Sequence, residues 1–524
     1  MATTTITNNL QPENAIESQE PLAPKDVPAS FDGPVPEPTD PAGGFPIVVR
    51  SIRFKGRGFF ATAPLLSGAT ILASTPMATI VCEDWGGNVC TWCHRFDDRK
   101  KWKIKAEAEE EEEAKSASNV KMVFCSAECK EKMKRHGFEG EWEAVLKAVN
   151  AIETEVIRRK RAHEVKESKG KKKSRKDNDW KPGKHNGPWR SSTTLLSPPA
   201  SPDMVDLDDV EAVKEWLDNA WETIIHDHDF VQQHSTNMPS GDQRELLKLI
   251  AGILCRKQCE ERKQCEERQQ SANPDSHHIC IQMTRPTWSD LLDMQDNEVT
   301  HFRHHYRLSQ THTNYPTLIP ASDSLTTRDY LRILPKVIHA QIILYLLLCA
   351  AVPTATVTPV QSPPPPLVHT HAIFRAVYYR ELANSFGIWD PPVCTSTSGD
   401  QEQELLGYAI HAAAVYFNHS CAPNVTKYRV GRMMRFAVNR DVAEGEELTI
   451  SYGSVQEPVE KRRERLWCHY YFWCRCDRCV QELEAEEEVD KSKGMEVDQE
   501  MEVDDQDMEV EIDGIADRLK EIRM

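Results

Sequence analysis

The stretch "YFNHSCAPNV", Tyr416 to Val425, gathers two amides, an imidazole, a hydroxyl and a thiol around one proline, with apolar residues on either side. Flanks of that kind carry a segment into the interior, where a donor or acceptor left unpaired costs about 1–3 kcal/mol. The polar groups are tolerable only if another part of the chain is shaped to receive them. For the thiol, that part is legible farther along.

The run "CRCDRC" places Cys474, Cys476 and Cys479 within one short turn. Three thiolates leave a tetrahedral structural zinc one ligand short, and Zn–S bonds of about 2.3 Å require sulfurs a little under ~4 Å apart. The fourth ligand must come from elsewhere. Cys421 is the obvious donor, because a compact His-Ser-Cys-Ala-Pro turn can point one thiol outward. A second set of four is formed by Cys90 and Cys93, a C-x2-C knuckle, with Cys125 and Cys129 in "FCSAEC". The N-terminal stretch Met1 to Glu20 has neither a basic start nor an apolar core, so it does not read as a secretory signal. The expected location is the nucleus and/or cytoplasm, where the 16 cysteines stay reduced and tight clusters favour metal over disulfides. The competing reading, small buried hydrophobes, suits Cys82, Cys255, Cys280, Cys349, Cys394 and Cys468, which lack partners at metal-ligand spacing. His136, seven residues after Cys129, is a weaker ligand candidate.

At 524 residues, 39% hydrophobic and 28% charged, the chain is long enough for two or three domains, although much of it is too polar to bury. The net charge of −18 arises from blocks, such as Glu109 to Glu113 and the stretch after Gln481, so bulk acidity alone does not define a partner. Lys and Arg crowd into Arg158 to Lys176, a run that fits nuclear targeting or a solvated linker. It has no interleaved aromatics, which argues against a direct nucleic-acid contact. The most apolar run, Val337 to Val352, falls short of the roughly 20 residues that span a bilayer, and it includes His339 and Gln341. It reads as a buried helix, with no membrane partner.

Short strands are expected from Ile47 onward and again in "MMRFAV" and "EELTISYG", with helices in "EWEAVLKAVNAIETEVIRRKRA", "HTHAIFRAVYYRELANSFGIWD" and "EPVEKRRERLWCHYYF". The exact repeat "KQCEERKQCEER" sets Cys259 and Cys265 on different faces of a helix and reads as low complexity, not a zinc site. "TATVTPVQSPPPPL" must be a loop or polyproline segment.

Taken in order, "NHSCAPN", "GEELTISYG" and "RRERLWCHYYFWCRCDRC" resemble the C-terminal half of a SET domain with its post-SET cysteines. "GRGFFAT" at Gly56 to Thr62 and Asn384 in "ANSFGI" also match. The cysteine pairs between the first strands resemble a MYND zinc finger. The whole is similar to the SET and MYND domain-containing protein lysine methyltransferases over about Ile47 to Cys479, with long non-matching insertions. The resemblance implies an α+β fold, a SET β-clip of short strands with a knot-like C-terminal segment, an inserted finger, helical insertions and disordered termini. The implied organisation is a disordered segment at 1–45, a split SET domain over 46–453, and the finger at 90–140. A basic and Pro/Ser-rich linker spans 150–205, a helical insertion 206–350, a post-SET zinc region 454–480 and an acidic disordered tail 481–524. The family's finger uses eight ligands for two zincs. Here only Cys90/Cys93 and Cys125/Cys129 are present, with an acidic spacer in the gap, so a reduced one-zinc finger is expected.

In the family, the polar segment passes through a loop of following chain and builds the S-adenosylmethionine pocket. That implies Asn418 and His419 as cofactor contacts, and Cys421 with Cys474, Cys476 and Cys479 as the post-SET zinc ligands. It further implies Arg57, Gly58 and Asn384 around the cofactor, Tyr470 and Phe472 against the adenine or lysine channel, and Tyr452 as the catalytic residue that also touches the cofactor. The expected enzyme is a protein-lysine N-methyltransferase with two structural zincs, whose partner is a protein with an accessible lysine, a histone tail being one candidate. The alternative is a catalytically silent SET-fold scaffold that mediates protein–protein contacts. Nothing in the sequence sets an oligomeric state.

Overall fold

The computed structural model describes residues 44–52, 55–106, 122–174, 204–270, 286–309, 318–322, 325–352, 370–390 and 404–496. The proline-rich loop, the acidic spacer from residue 107, Cys280, Cys394 and the tail beyond 496 lie outside the described residues.

The strands form small sheets. One runs in the order β1 (Ile47–Ile52), β2 (Gly56–Ala61), β14 (Glu447–Ile450), β11 (Asn418–His419). A second holds β4 (Ala78–Val81), β10 (Leu405–Ile410) and β9 (Ser385–Trp389), and a third β12 (Val425–Val430), β13 (Met433–Val438) and β3 (Thr70–Ser74). Two-stranded ladders join β5 (Ile104–Lys105) to β6 (Val123–Phe124) in the finger and β7 (Met204–Asp206) to β8 (Leu318–Pro320) in the helical insertion. The decisive pairing is β11 with β14, which is parallel, Asn418 opposite Thr449 and His419 opposite Ile450. Parallel neighbours need a crossover between them, and the β12–β13 hairpin supplies it. The segment after Tyr416 is thereby laid alongside chain that follows it.

The helices are α1 (Ala127–His136), α2 (Glu141–Ser174), α3 (Val210–His226), α4 (His228–His234), α5 (Gly241–Gln270), α6 (Trp288–Leu292), α7 (Glu298–Ser309), α8 (Thr327–Ile333), α9 (Lys336–Ala351), α10 (His371–Asn384), α11 (Val459–Tyr470) and α12 (Asp477–Glu496). Their starts follow local chemistry: Asp209 caps α3, Thr287 and Thr326 form capping boxes with Asp290 and Asp329, and Thr370 caps α10. In α3, Val213, Trp216, Leu217, Ala220, Trp221 and Ile224 repeat at helical spacing, and all are buried. They join the largest core, which is built from helices and also contains Leu247, Ile250, Phe302, Tyr330, Ile342 and Phe374. The apolar run at Val337 is the buried α9, and among the described residues no helix is long and apolar enough to cross a membrane. The strands enclose a separate core of Phe59, Ile71, Phe417, Val425, Phe436, Leu448 and Ile450.

Several local expectations are corrected. The helix expected through "NSFGIWD" stops at Asn384, and Ser385–Trp389 is strand, because β10 offers it an edge along its whole length. Helix α2 continues to Ser174, into the stretch read as linker from residue 150, and α12 continues to Glu496, into the stretch read as disordered tail. The "KQCEER" repeat belongs to α5, where Cys259 is buried and Cys265 exposed, as their spacing required. Tyr452 lies two residues beyond the end of β14, not within it.

A buried ionic link crosses the helical core. Arg375 on α10, 4% exposed, donates from Nε to Glu298 on α7 at 2.6 Å, and its Nη1 reaches Asp218 on α3. Burial outweighs the pull of Arg375 and holds Glu298 above its ordinary carboxylate range. A link of that kind costs more when one partner is lost than when both are replaced. Arg375→Ala is expected to lower unfolding stability by about 3–5 kcal/mol, and Arg375→Met combined with Glu298→Leu by less, as read by denaturant titration.

Candidate functional site

Two groups of four cysteines have all their sulfurs within 4.8 Å of one another: Cys90, Cys93, Cys125 and Cys129, and Cys421, Cys474, Cys476 and Cys479. Among the described residues these are the only such groups. In the first, Cys125 Sγ lies 3.6 Å from Cys93 Sγ and 3.5 Å from Cys129 Sγ. Ser126 caps α1 by accepting from the Cys129 N–H at 3.2 Å, which sets the C-x3-C pair on the helix start. His136 takes no part in the cluster and packs edge-on against Trp92 at 5.0 Å.

In the second group, Cys421 Sγ is 3.4 Å from Cys479 and 4.0 Å from Cys474, and its N–H points at Cys476 Sγ at 3.4 Å. Cys421, Cys474 and Cys479 are buried and Cys476 half-buried. Four sulfurs so close cannot all ionise unaided: hydrogen bonding from Cys421 and Cys474 pushes Cys476 far below the usual thiol range, while Cys474 is pushed far above it. A divalent cation resolves that competition, since each sulfur then binds as thiolate. Both donor sets therefore fit a tetrahedral, thiolate-preferring ion.

His419 connects this cluster to Tyr452. Its Nδ1 accepts from the Tyr452 N–H at 3.1 Å, so a neutral ring carries its proton on Nε2, which lies 3.2 Å from Cys421 Sγ. Burial keeps the ring neutral, lowering it to about 4. The Tyr452 hydroxyl donates to the Phe417 carbonyl at 2.8 Å. Burial first, and then neighbouring Tyr470, raise the phenol above its ordinary range, so it serves as a donor and not as a base. Around it stand Tyr470 at 4.8 Å, His419 at 5.3 Å and Phe472 at 6.4 Å between ring centroids. Tyr470 and Phe472 face the same ring because Tyr471 between them turns left-handed, with φ of 61°. The Tyr471 hydroxyl meets His301 Nδ1 of α7 at 2.5 Å, which holds that turn against the helical insertion.

Asn418 sits at the sheet edge and donates to the Arg57 carbonyl at 3.2 Å and to Glu447 Oε1 at 2.9 Å. A Cβ on Gly58 would come within 2.7 Å of Asn418 Nδ2, so glycine is what lets β2 and β11 share this corner. The Arg57 guanidinium stacks on Tyr416 at 4.9 Å and bonds Asp293 Oδ2 at 2.7 Å, and Tyr416 also donates to Asp293. Asn384 meets the same loop of the helical insertion two residues beyond Asp293. Its amide donates to the carbonyls of Arg380 at 2.7 Å and Gln295 at 3.2 Å, at the end of α10.

Sequence reasoning missed three contributors. Asn424, 2% exposed, donates to the Glu447 carbonyl and accepts from the Thr449 N–H, both at 2.8 Å, which straps the segment to β14 from its far end. Its signal was present, since it is the second asparagine of the opening stretch. Glu447, which accepts from Asn418 and Lys55, opens the strand "ELTI" and was equally available. Asp293 lies in the helical insertion, where no motif marks it.

Residues 56–453 match the family model for the SET domain. The chain belongs to the SET domain family. It is 39% identical over 114 residues to the potential protein lysine methyltransferase SET6 of Saccharomyces cerevisiae, covering 22% of this chain and 29% of that protein. A SET and MYND domain-containing protein of Dictyostelium discoideum is 37% identical over 105 residues, 20% of this chain and 25% of its own. The N-lysine methyltransferase SMYD2 of Homo sapiens is 36% identical over 84 residues, 16% and 19% respectively. The matched segment thus spans less than a third of each of these relatives.

Asn424→Ala removes the partner of two half-buried backbone groups, the Glu447 carbonyl and the Thr449 N–H. The variant is expected to lose about 2–5 kcal/mol of unfolding stability, measured by denaturant titration, with the amides of Thr449 and Ile450 exchanging faster.

Proposed function

We propose that this protein is a lysine N-methyltransferase that takes its methyl group from S-adenosylmethionine and carries zinc in both cysteine sets. The observation that carries the reading is the gathering of Tyr452, Tyr470 and Phe472 around His419, next to Asn418 in the chain and bonded to the Cys421 cluster. Aromatic faces and amide groups around one corner suit a ligand that combines a cation, an amino acid and an aromatic base. When bound, the donor supplies an electrophilic methyl group on a positive sulfonium. The residues named to hold it are Asn418 and His419, with Arg57, Gly58 and Asn384 at its margins and Phe472 and Tyr470 as walls.

Transfer to an amine needs an in-line approach, and holding two reacting groups at near-attack distance is worth about 7–11 kcal/mol. The chain's contribution is therefore positional. A lysine of ordinary pKa, about 10.4, must lose a proton before it attacks, and aromatic walls that exclude water favour the neutral amine. The raised Tyr452 phenol keeps its proton, so it orients by donating a hydrogen bond. The zincs would hold the post-SET turn and the finger without taking part in the chemistry.

The acceptor is proposed to be a lysine exposed on a protein. The net charge of −18, much of it in the C-terminal stretch, suits a basic partner such as a histone tail. The run Arg158 to Lys176 supports residence in the nucleus as well as the cytoplasm.

The test is incubation with labelled S-adenosylmethionine and a mixed protein extract, followed by mass spectrometry of methylated lysines. Tyr452→Phe is expected to stay folded, with at most about 1–3 kcal/mol lost for the Phe417 carbonyl it leaves unpaired, yet to lose about 10²-fold or more in methyl transfer, and full activity in that variant would refute the assignment. Cys476→Ser is expected to carry one metal ion fewer and to bind the donor more weakly by calorimetry. Undiminished donor binding would show that the metal site and the pocket are independent.

A further inference from the structure

Lys427 occupies an unusual face of its strand. It lies directly opposite Phe436 in the β12–β13 ladder, and opposed residues of an antiparallel pair project to the same side. Phe436 is fully buried there, stacked on Phe417 at 4.6 Å and edge-on to Phe386 at 6.2 Å. The lysine stem therefore follows the aromatic face of the sheet. Its ammonium stands 5.5 Å above the Phe386 ring and donates to the Ser451 carbonyl at 3.0 Å, one residue before Tyr452. Among the described residues no carboxylate pairs with it. A lysine that merely covered apolar surface would swing its charge out to water. Lys427 is exposed as a residue, yet its ammonium is held on the Ser451 carbonyl and over Phe386, beside the peptide that carries Tyr452.

Crowding of the charge by protein draws the Lys427 ammonium from 10.5 down to about 8, although the residue as a whole is exposed. The ammonium is thus crowded by the strand and the Ser451 peptide while water still reaches the side chain. At pH 8 about half of such an amine is neutral, against roughly one part in 250 for an ordinary lysine.

We propose that Lys427 is a methyl acceptor within its own chain, its ε-amine modified in cis at the site that contains Tyr452. The inference rests on the lysine methyltransferase reading above. In the step, the lone pair of neutral Nζ forms the new N–C bond to the methyl carbon of a sulfonium donor as the C–S bond breaks. The bonding pair stays on sulfur, which becomes a thioether, and the methylated ammonium releases its extra proton to water. No oxidant or reductant is required.

The experiment incubates the full chain with isotope-labelled S-adenosylmethionine alone and, in parallel, with a protein extract, and locates the label by mass spectrometry. The expected result is label at Lys427 at a rate per chain independent of chain concentration, and none at that position in Lys427→Arg. A tagged Tyr452→Phe chain mixed with wild type should stay unlabelled at Lys427. A second readout needs no donor: trace acetylation with an acid anhydride across pH should titrate Lys427 near 8. Label on extract lysines with Lys427 bare overturns this inference alone and leaves the methyltransferase reading standing. Label on no lysine in either incubation overturns both. Labelling that rises with chain concentration overturns the cis assignment, and so does a Lys427 titration near 10.5.

Discussion

The fold of the site depends on one contact between distant stretches, the approach of Cys421 to Cys474, Cys476 and Cys479. Everything polar in the opening stretch is arranged around it. Toward the N-terminal side, His419 carries the contact to Tyr452, and Asn418 ties the sheet edge to Arg57 and Glu447. On the other side, Asn424 fastens the same segment to Glu447 and Thr449. Each hydrogen bond alone is worth about 1 kcal/mol, but together they leave the segment one arrangement in which its buried groups are all received. With the proposed zinc bound, the four sulfurs would add the strongest term, since a structural zinc in a small site contributes on the order of 10 kcal/mol of coupled folding energy.

This arrangement explains why the aromatic residues of the post-SET turn face the strands at all. Tyr470 and Phe472 are drawn over Tyr452 by the cysteines that follow them, by the left-handed Tyr471 between them, and by the bond from Tyr471 to His301. His301 is itself bonded to Gln341 of α9 at 3.0 Å, and Gln341 to Tyr379 of α10. The helical insertion is thus physically continuous with the turn that closes the site. Its large apolar core gives that turn a rigid backing, and Asp293 from the same insertion holds Arg57 on the opposite side.

The parts legible in the sequence were those with local, period-bound or stoichiometric signals. Cysteine spacing located both sulfur clusters, and the polar residues of the opening stretch announced a buried, received segment. "MMRFAV" is β13 residue for residue. The apolar run at Val337 was readable as a buried helix because it is too short and too polar at His339 and Gln341 for anything else. The misses have a common physical origin. The strand at Ser385–Trp389 exists because β10 is its neighbour, and nothing within the five residues says so. Asp293 and His301 matter only through where the insertion docks. Lys427 carries no signal in the sequence, because only the ladder shows that its cross-strand partner is a buried phenylalanine.

The most direct measurement is X-ray absorption at the metal edge of the purified chain, compared with Cys421→Ser. The account predicts an all-sulfur first shell, four ligands at about 2.3 Å, in the wild type, and loss of one of the two sites in the variant, with the finger cluster retained. A wild-type shell containing nitrogen or oxygen, or a variant that keeps both sites fully sulfur-bound, would contradict it.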